Sequence, residues 1–95
     1  MKIQHSDTNG GMFYIEDGGK MVANLEYVTE TGQENDIMVI THTNVAGKLE
    51  GQGIGKSLVD EAINFAKSNN MKIKPVCPFA NAVMRKNGRY AALMV

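Results

Sequence analysis

The sequence predicts a mixed α+β fold: an antiparallel β-meander, then a β-α-β crossover giving a parallel strand pair, then a short C-terminal helix. Two patterns predict it. Up to Val45 the apolar residues alternate between turn-rich breaks, and from Gly55 they recur at helical spacing before another β-prone run. The change of character falls in a glycine-rich stretch, EGQGIGKSLV, over residues 50–59. A chain of 95 residues leaves room for one domain, residues 1–95, and little for a second core.

Residues 2–5 suit a short first strand, and residues 7–11 a turn. Residues 12–16, MFYIE, read as a strand closed by Asp17-Gly18-Gly19. Residues 20–28, KMVANLEYV, follow with Met21, Ala23, Leu25 and Tyr27 on one face. A Gly-Gly pair between two such runs is a hairpin signal. After the turn TETGQEN, residues 36–45, DIMVITHTNV, form the most β-prone run in the chain. Regular alternation puts Ile37, Val39, Thr41, Thr43 and Val45 on one face and Met38, Ile40, His42 and Asn44 on the other. Beyond the glycines, Leu58, Val59, Ala62, Ile63, Phe65 and Ala66 make a helical stripe, with Lys56, Asp60, Asn64 and Lys67 turned away. Asn69-Asn70 suits a left-handed stop. Residues 71–77, MKIKPVC, read as a short strand in which Pro75 marks an edge or an irregular ladder. Pro78 opens a weaker helix near residues 80–86, and Asn87-Gly88 turns into a short tail. A strand–helix–strand crossover within one sheet makes its two strands parallel. The glycine loop therefore sits where an antiparallel meander becomes a parallel pair, a favoured place for a ligand.

Composition narrows the function. An apolar content of 43% with 21% charged residues is that of an ordinary soluble domain. No apolar run approaches the roughly 18 residues of a membrane span, and the leading MKIQHSDTNGG lacks the apolar core of a secretory signal. One cysteine, Cys77, cannot close an internal disulfide, so a cytoplasmic location is expected. The net charge is zero but unevenly laid out: residues 1–50 hold three lysines and eight acids, and residues 51–95 hold seven Lys or Arg and two acids. The basic half suits an anionic ligand. The acidic half, with Glu16, Glu26, Glu30, Glu34 and Asp36, suits a cationic one; both also suit solvated faces. Six aromatics and no dense basic run argue against nucleic acid as a partner. His5, His42 and Cys77 lack metal-ligand spacing, so no metal is expected.

Glycines let a backbone approach a ligand closely, and the helix that follows offers unpaired N–H groups and a positive dipole end. Together they suit phosphate, and Lys56 adds charge; the alternative is a tight turn with no ligand. Gly55-Lys56-Ser57 matches the end of a nucleotide-binding P-loop, but that loop's first glycine would fall on Glu50. The dinucleotide fingerprint fails as well, needing glycine at Lys56 or Leu58.

The pattern V-x-x-x-x-[R/Q]-G-x-G-x-G/A fits better. It reads here from Val45 through Glu50-Gly51-Gln52-Gly53-Ile54-Gly55, and resembles the acetyl-CoA signature of the GNAT superfamily of N-acetyltransferases. The resemblance extends to I-x-H-T-x-V (Ile40 to Val45), to K-x-x-P-x-C-P-F (Lys72 to Phe79) and to a closing arginine–tyrosine stretch, and it covers about residues 12–91. These features look like the short YjdJ-type branch, which lacks the first helices of larger members. The resemblance implies a minimal GNAT-like fold with acetyl-CoA as donor and an amine, small molecule or protein, as acceptor. It places the pantetheine arm beside Asn44 and Val45 and the pyrophosphate on Gln52, Gly53, Ile54, Gly55 and Lys56, with Ser57 nearby. Glu50 departs from the family's Arg or Gln, and a carboxylate there repels pyrophosphate by about 1 kcal/mol at 4 Å in water.

Acetyl transfer to an amine needs a base, a donor for the carbonyl oxygen and a stabilised leaving thiolate. His42 suits the base; it equally suits a core histidine bonded to backbone. Cys77 suits a nucleophile that takes the acetyl group, or a small apolar residue lining the acetyl pocket. Asn81, Arg85, Lys86 and Arg89 suit CoA phosphates or a solvated helix face. The alternative to an acetyltransferase is a non-catalytic acetyl-CoA-binding or interaction module.

Overall fold

The computed structural model describes residues 2–8 and 10–95. Strands β1 (Gln4–Ser6), β2 (Gly11–Asp17), β3 (Lys20–Glu30) and β4 (Ile37–Val45) form an antiparallel meander. A 3-10 turn (Gly47–Leu49) and the glycine loop lead into α1 (Ile54–Ser68). β5 (Lys72–Pro75) then pairs with β4 in parallel, so the sheet order is β1-β2-β3-β4-β5. α2 (Pro78–Arg85) follows. This is the predicted mixed α+β architecture of a GNAT-like fold. The predicted turn at 7–11 includes Asn9, which lies outside the described residues. Among those residues no helix is long and apolar enough to cross a membrane.

The predicted tail is instead ordered. Residues Gly88–Leu93 wind into a 3-10 helix whose first turn is capped by Asn87, and Met94 bridges to Ile73 in parallel. Lys72 Nζ donates to the Ala92 carbonyl at 2.7 Å, and Val95 N–H donates to the Ile73 carbonyl at 2.9 Å. These bonds cover the free edge of β5, which would otherwise expose a row of unpaired backbone groups.

α1 packs Leu58, Val59, Ala62, Ile63 and Ala66, all buried, against the buried face of the sheet. Each large apolar side chain so buried stabilises the fold by about 1.5–3 kcal/mol. Asn70, at φ 55°, takes the left-handed conformation that stops the helix.

Two β-bulges revise the predicted faces. Ile15 pairs with Ala23 while Glu16 pairs with Met21, so Val22 is the extra residue; Met21 turns outward and is 47% exposed. Likewise Tyr27 pairs with Ile40 and Glu26 with His42, leaving Thr41 unpaired. Before this second bulge Met38 and Ile40 face the core, fully buried. After it Thr43, opposite buried Leu25, and Val45, opposite buried Ala23, take the core side. His42 and Asn44 therefore leave the Met38–Ile40 face on which uninterrupted alternation put them. The period-two argument assumes one residue against one, and a bulge breaks that count.

The N-terminal strand is anchored through His5. Its ring stacks on Phe13 at 4.3 Å between centroids and meets the edge of Phe65 at 4.6 Å. His5 Nε2 and the Tyr27 hydroxyl are 2.6 Å apart. Burial, and secondarily the negative charge of Asp7, raise the pKa of Tyr27. The Tyr27 ring lies directly over Gly11, where any Cβ would collide with it.

Gly11→Ala should therefore lower stability by about 1–3 kcal/mol through overpacking. Gly47→Ala, at an open position, should shift it by less than about 0.5 kcal/mol. Thermal unfolding of the two variants checks this; equal midpoints would remove the Tyr27–Gly11 contact as a constraint.

Candidate functional site

β4 and β5 pair only over Ile37–Ile40 and Lys72–Pro75. The last link is the Ile40 carbonyl, which accepts N–H groups from both Val76, at 3.0 Å, and Cys77, at 2.9 Å. Beyond it Thr41 is the bulged residue and residues 42–45 of β4 pair with β3 alone. The divergence follows from the sequence: Pro75 has no N–H to extend a ladder, and Pro78 at the first turn of α2 commits the chain to a helix. A wedge opens between the strands, with a strip of β4 backbone along it.

The glycine loop stands at the mouth of this wedge. Gly51 (φ 82°) and Gly53 (φ 76°) take left-handed conformations that other residues adopt only under strain. The first intrahelical bond of α1 runs from Ser57 N–H to the Gly53 carbonyl at 3.0 Å, so the N–H groups of Ile54, Gly55 and Lys56 have no intrahelical acceptor. No side chain caps them. Gly55 serves another purpose: a Cβ there would sit 2.8 Å from the Phe79 ring, so its absence lets α2 close against α1.

A cavity of about 800 Å³ fills the space between these elements. Thr43 and Val45 line it from β4, Gly51 to Lys56 in part from the loop, and Phe79, Val83 and Tyr90 from the C-terminal segment. Of the residues predicted for cofactor binding, Val45, Gly53, Ile54, Gly55 and Lys56 line it. Gln52 and Ser57 do not; they border a smaller cleft of about 210 Å³ beside Ile3 and Ile15. The Ser57 hydroxyl donates to its own helix, at the Gly53 carbonyl, 3.1 Å away. Asn44 points to the outer sheet face, where its Nδ2 donates to Asn24 Oδ1 at 3.1 Å, so only its backbone borders the wedge.

The two predicted catalytic residues are not brought together. Cys77 is 6% exposed and belongs to the core; it does not itself line the cavity, but its Sγ lies 3.4 Å from the Oγ1 of Thr43, which does. His42 is exposed on the outer face, opposite Glu26, and is not a buried core histidine. Burial pushes the Cys77 thiol up, but the Thr43 hydroxyl and the backbone N–H groups of Ala80, Phe79 and Thr43 outweigh it, and its pKa lies below the ordinary thiol value. Thr43 supplies its donors from β4; Ala80 and Phe79 supply theirs because Cys77 is the N-cap residue of α2. Thr43 and Phe79 had no role in the sequence reading. Their only signal was membership of the two quoted motifs.

Charge around the cavity is partly paired. Lys56 Nζ and Asp60 Oδ2 form an ion pair at 2.9 Å, and this bond raises the lysine pKa. Glu50 lines the cavity from the loop. Among the described residues no group of His, Cys, Asp or Glu could hold a metal ion.

Comparison with curated proteins finds no match. Solved structures do match. A GCN5-like protein of Staphylococcus aureus, solved by NMR, is 28% identical with a TM-score of 0.70, over 99% of this chain and 87% of that one. Ribosomal-protein-alanine N-acetyltransferase from Brucella melitensis biovar Abortus 2308 shares the fold at 16% identity and TM-score 0.64, over 85% of this chain and 64% of its own. Arabidopsis thaliana Naa50, in complex with the bisubstrate analogue CoA-Ac-MVNAL, shares it at 17% identity and TM-score 0.57, over 65% of this chain and 42% of its own. The chain thus spans less than two thirds of the length of these last two proteins. Residues 12–93, which include both strands of the wedge and the glycine loop, match the family described as GCN5-related N-acetyl-transferase, and the chain belongs to that family.

Proposed function

We propose that the chain, as one acetyl-CoA-binding domain over residues 1–95, transfers acetyl from acetyl-CoA to an amine. The observation that carries this reading is the wedge beyond Ile40, which opens unpaired β4 backbone beside an uncapped helix N-terminus. The pyrophosphate would take the free N–H groups of the first turn of α1. The pantetheine amides would extend the β4 ladder past Asn44 and Val45, and the thioester would reach Thr43 and Cys77. A fold neighbour solved with an analogue joining CoA to a short peptide supports CoA as donor. Match of the C-P-F and H-T-x-V motifs supports the short YjdJ-type branch, and a lone free thiol fits a cytoplasmic location.

In direct transfer the amine nitrogen attacks the thioester carbonyl, the carbon–sulfur bond breaks and CoA leaves as thiolate. The proton lost by the amine goes to a base. His42, on the outer sheet face, serves as that base for an acceptor arriving opposite the CoA cavity. The lowered pKa of Cys77 and its bond to Thr43 support a second route. Its thiolate attacks the carbonyl and releases CoA thiolate; the amine then attacks the acyl-cysteine carbonyl, the carbon–sulfur bond to Cys77 breaks, the Cys77 thiolate is restored and the amine proton goes to a base.

CoA titration should move the amide resonances of residues 43–45 and 51–56, and a panel of amines should show turnover. Binding without turnover on any amine would leave a non-catalytic CoA-binding module; no shift at these residues would remove CoA altogether. His42→Ala should reduce kcat by about 10² or more while CoA affinity holds. An unchanged kcat takes the base role from His42.

Glu50→Gln removes about 1 kcal/mol of repulsion and should tighten CoA binding roughly fivefold. An identical dissociation constant in the two proteins would show that Glu50 does not face the pyrophosphate.

A thiol of lowered pKa ionises at lower pH. Alkylation of Cys77 by iodoacetamide should therefore rise with a midpoint below that of a free cysteine, and CoA should slow it. A midpoint at or above the free value contradicts the proposed thiolate. Acid-quenched mass spectrometry after mixing with acetyl-CoA separates the routes: an adduct of about 42 Da on Cys77 marks the covalent one, and its absence leaves direct transfer.

A further inference from the structure

The basic residues after Cys77 divide into two sets. Arg85 donates from Nε to Asn81 Oδ1 at 2.6 Å and does not line the cavity. Lys86 and Arg89, from the end of α2 and the start of the last 3-10 helix, do line it. Both are exposed, and among the described residues neither is ion-paired; the ion pair present there is that of Lys56 with Asp60. Arg89 is held in place. Its backbone N–H donates to Asn87 Oδ1 at 3.1 Å, and its guanidinium lies 5.7 Å from the Tyr90 ring, which also lines the cavity. Lys56 is near enough for its charge and that of Arg89 to act on one another. The cavity lining thus holds three cations, Lys56, Lys86 and Arg89, against two carboxylates, Glu50 and the Asp60 that pairs with Lys56. Lys86 and Arg89 place unpaired positive charge on the C-terminal side of the lining, within reach of Lys56, and suit an anion there.

The identity of the anion rests on the acetyl-CoA reading. There the pyrophosphate occupies the helix N-terminus and the thioester points to Cys77, which leaves the ribose phosphate for the part of the lining that the C-terminal segment supplies. We propose that Lys86 and Arg89 hold the 3′-phosphate of CoA, and that the site therefore discriminates CoA from 3′-dephospho-CoA. A phosphate monoester carries about −1.5 to −2 charge at pH 7 and accepts two parallel N–H groups from a guanidinium. A pyrophosphate already seated on backbone N–H groups has less need of either side chain.

Calorimetric titration of CoA and 3′-dephospho-CoA into the wild type, Lys86→Ala/Arg89→Ala and Arg85→Ala tests this. The wild type should bind CoA about tenfold more tightly than 3′-dephospho-CoA. The double variant should lose that preference by weakening CoA alone, and Arg85→Ala should keep it. Equal affinity of the wild type for the two ligands would overturn the assignment while leaving the CoA site intact. An equal weakening of both ligands in the double variant would overturn it too, by placing these cations on the pyrophosphate. Failure of the wild type to bind either ligand would instead remove the CoA reading, and this inference with it.

Discussion

The Ile40 carbonyl is the point on which the site depends. It takes two donors, Val76 N–H and Cys77 N–H, and closes the parallel ladder at the residue just before the Thr41 bulge. These two features act together. The shared acceptor ends the pairing of β4 with β5, so the strands separate. The bulge turns Thr43 and Val45 into the space that separation creates and sends His42 and Asn44 to the opposite face. Without the bulge, the edge of the cavity would present a histidine and an asparagine. Without the divergence, β5 would satisfy the backbone groups that a ligand could use.

The glycine loop and α2 complete the cavity for separate reasons. Left-handed Gly51 and Gly53 aim the first turn of α1 at the wedge. Gly55 lets the Phe79 ring come close, which fixes how near α2 stands to α1 and therefore how wide the cavity is. Cys77 lies at the junction of these parts. It is the N-cap residue of α2, so its thiol meets the Thr43 hydroxyl from β4 on one side and the first-turn N–H groups of Phe79 and Ala80 on the other, and these donors lower its pKa. The lining then draws on two sources of positive charge: the backbone N–H groups at the start of α1, and the side chains of Lys56, Lys86 and Arg89.

The element order, the Gly18-Gly19 hairpin, the amphipathic α1 and the parallel pairing of β4 with β5 were all legible in the residues. Each follows from local periodicity, turn chemistry or the handedness of a crossover. The glycine loop was legible too, as was the presence of Val45 beside it. Less visible was the C-terminal segment, where Asn87-Gly88 reads as a turn into a short tail. It folds back because Lys72, Val95 and Met94 find partners on β5 and in the last 3-10 helix, contacts made between residues far apart in the chain. The role of His5 was hidden for the same reason, since Phe13, Tyr27 and Phe65 come from three different elements.

Short-range order therefore specifies the strands, the helices and the kind of ligand a glycine loop before a helix can receive, because these depend on spacing within a few residues. Which side of the sheet each residue of β4 serves is decided elsewhere. It turns on the Thr41 bulge, where β4 sets one extra residue against β3, and that count belongs to the pairing of two strands rather than to either alone. Tertiary structure alone thus separates His42 from Cys77, joins Cys77 to Thr43, and divides Arg85 from Lys86 and Arg89. A one-residue change of register reverses a side chain's face while leaving the sequence pattern that produced it unchanged.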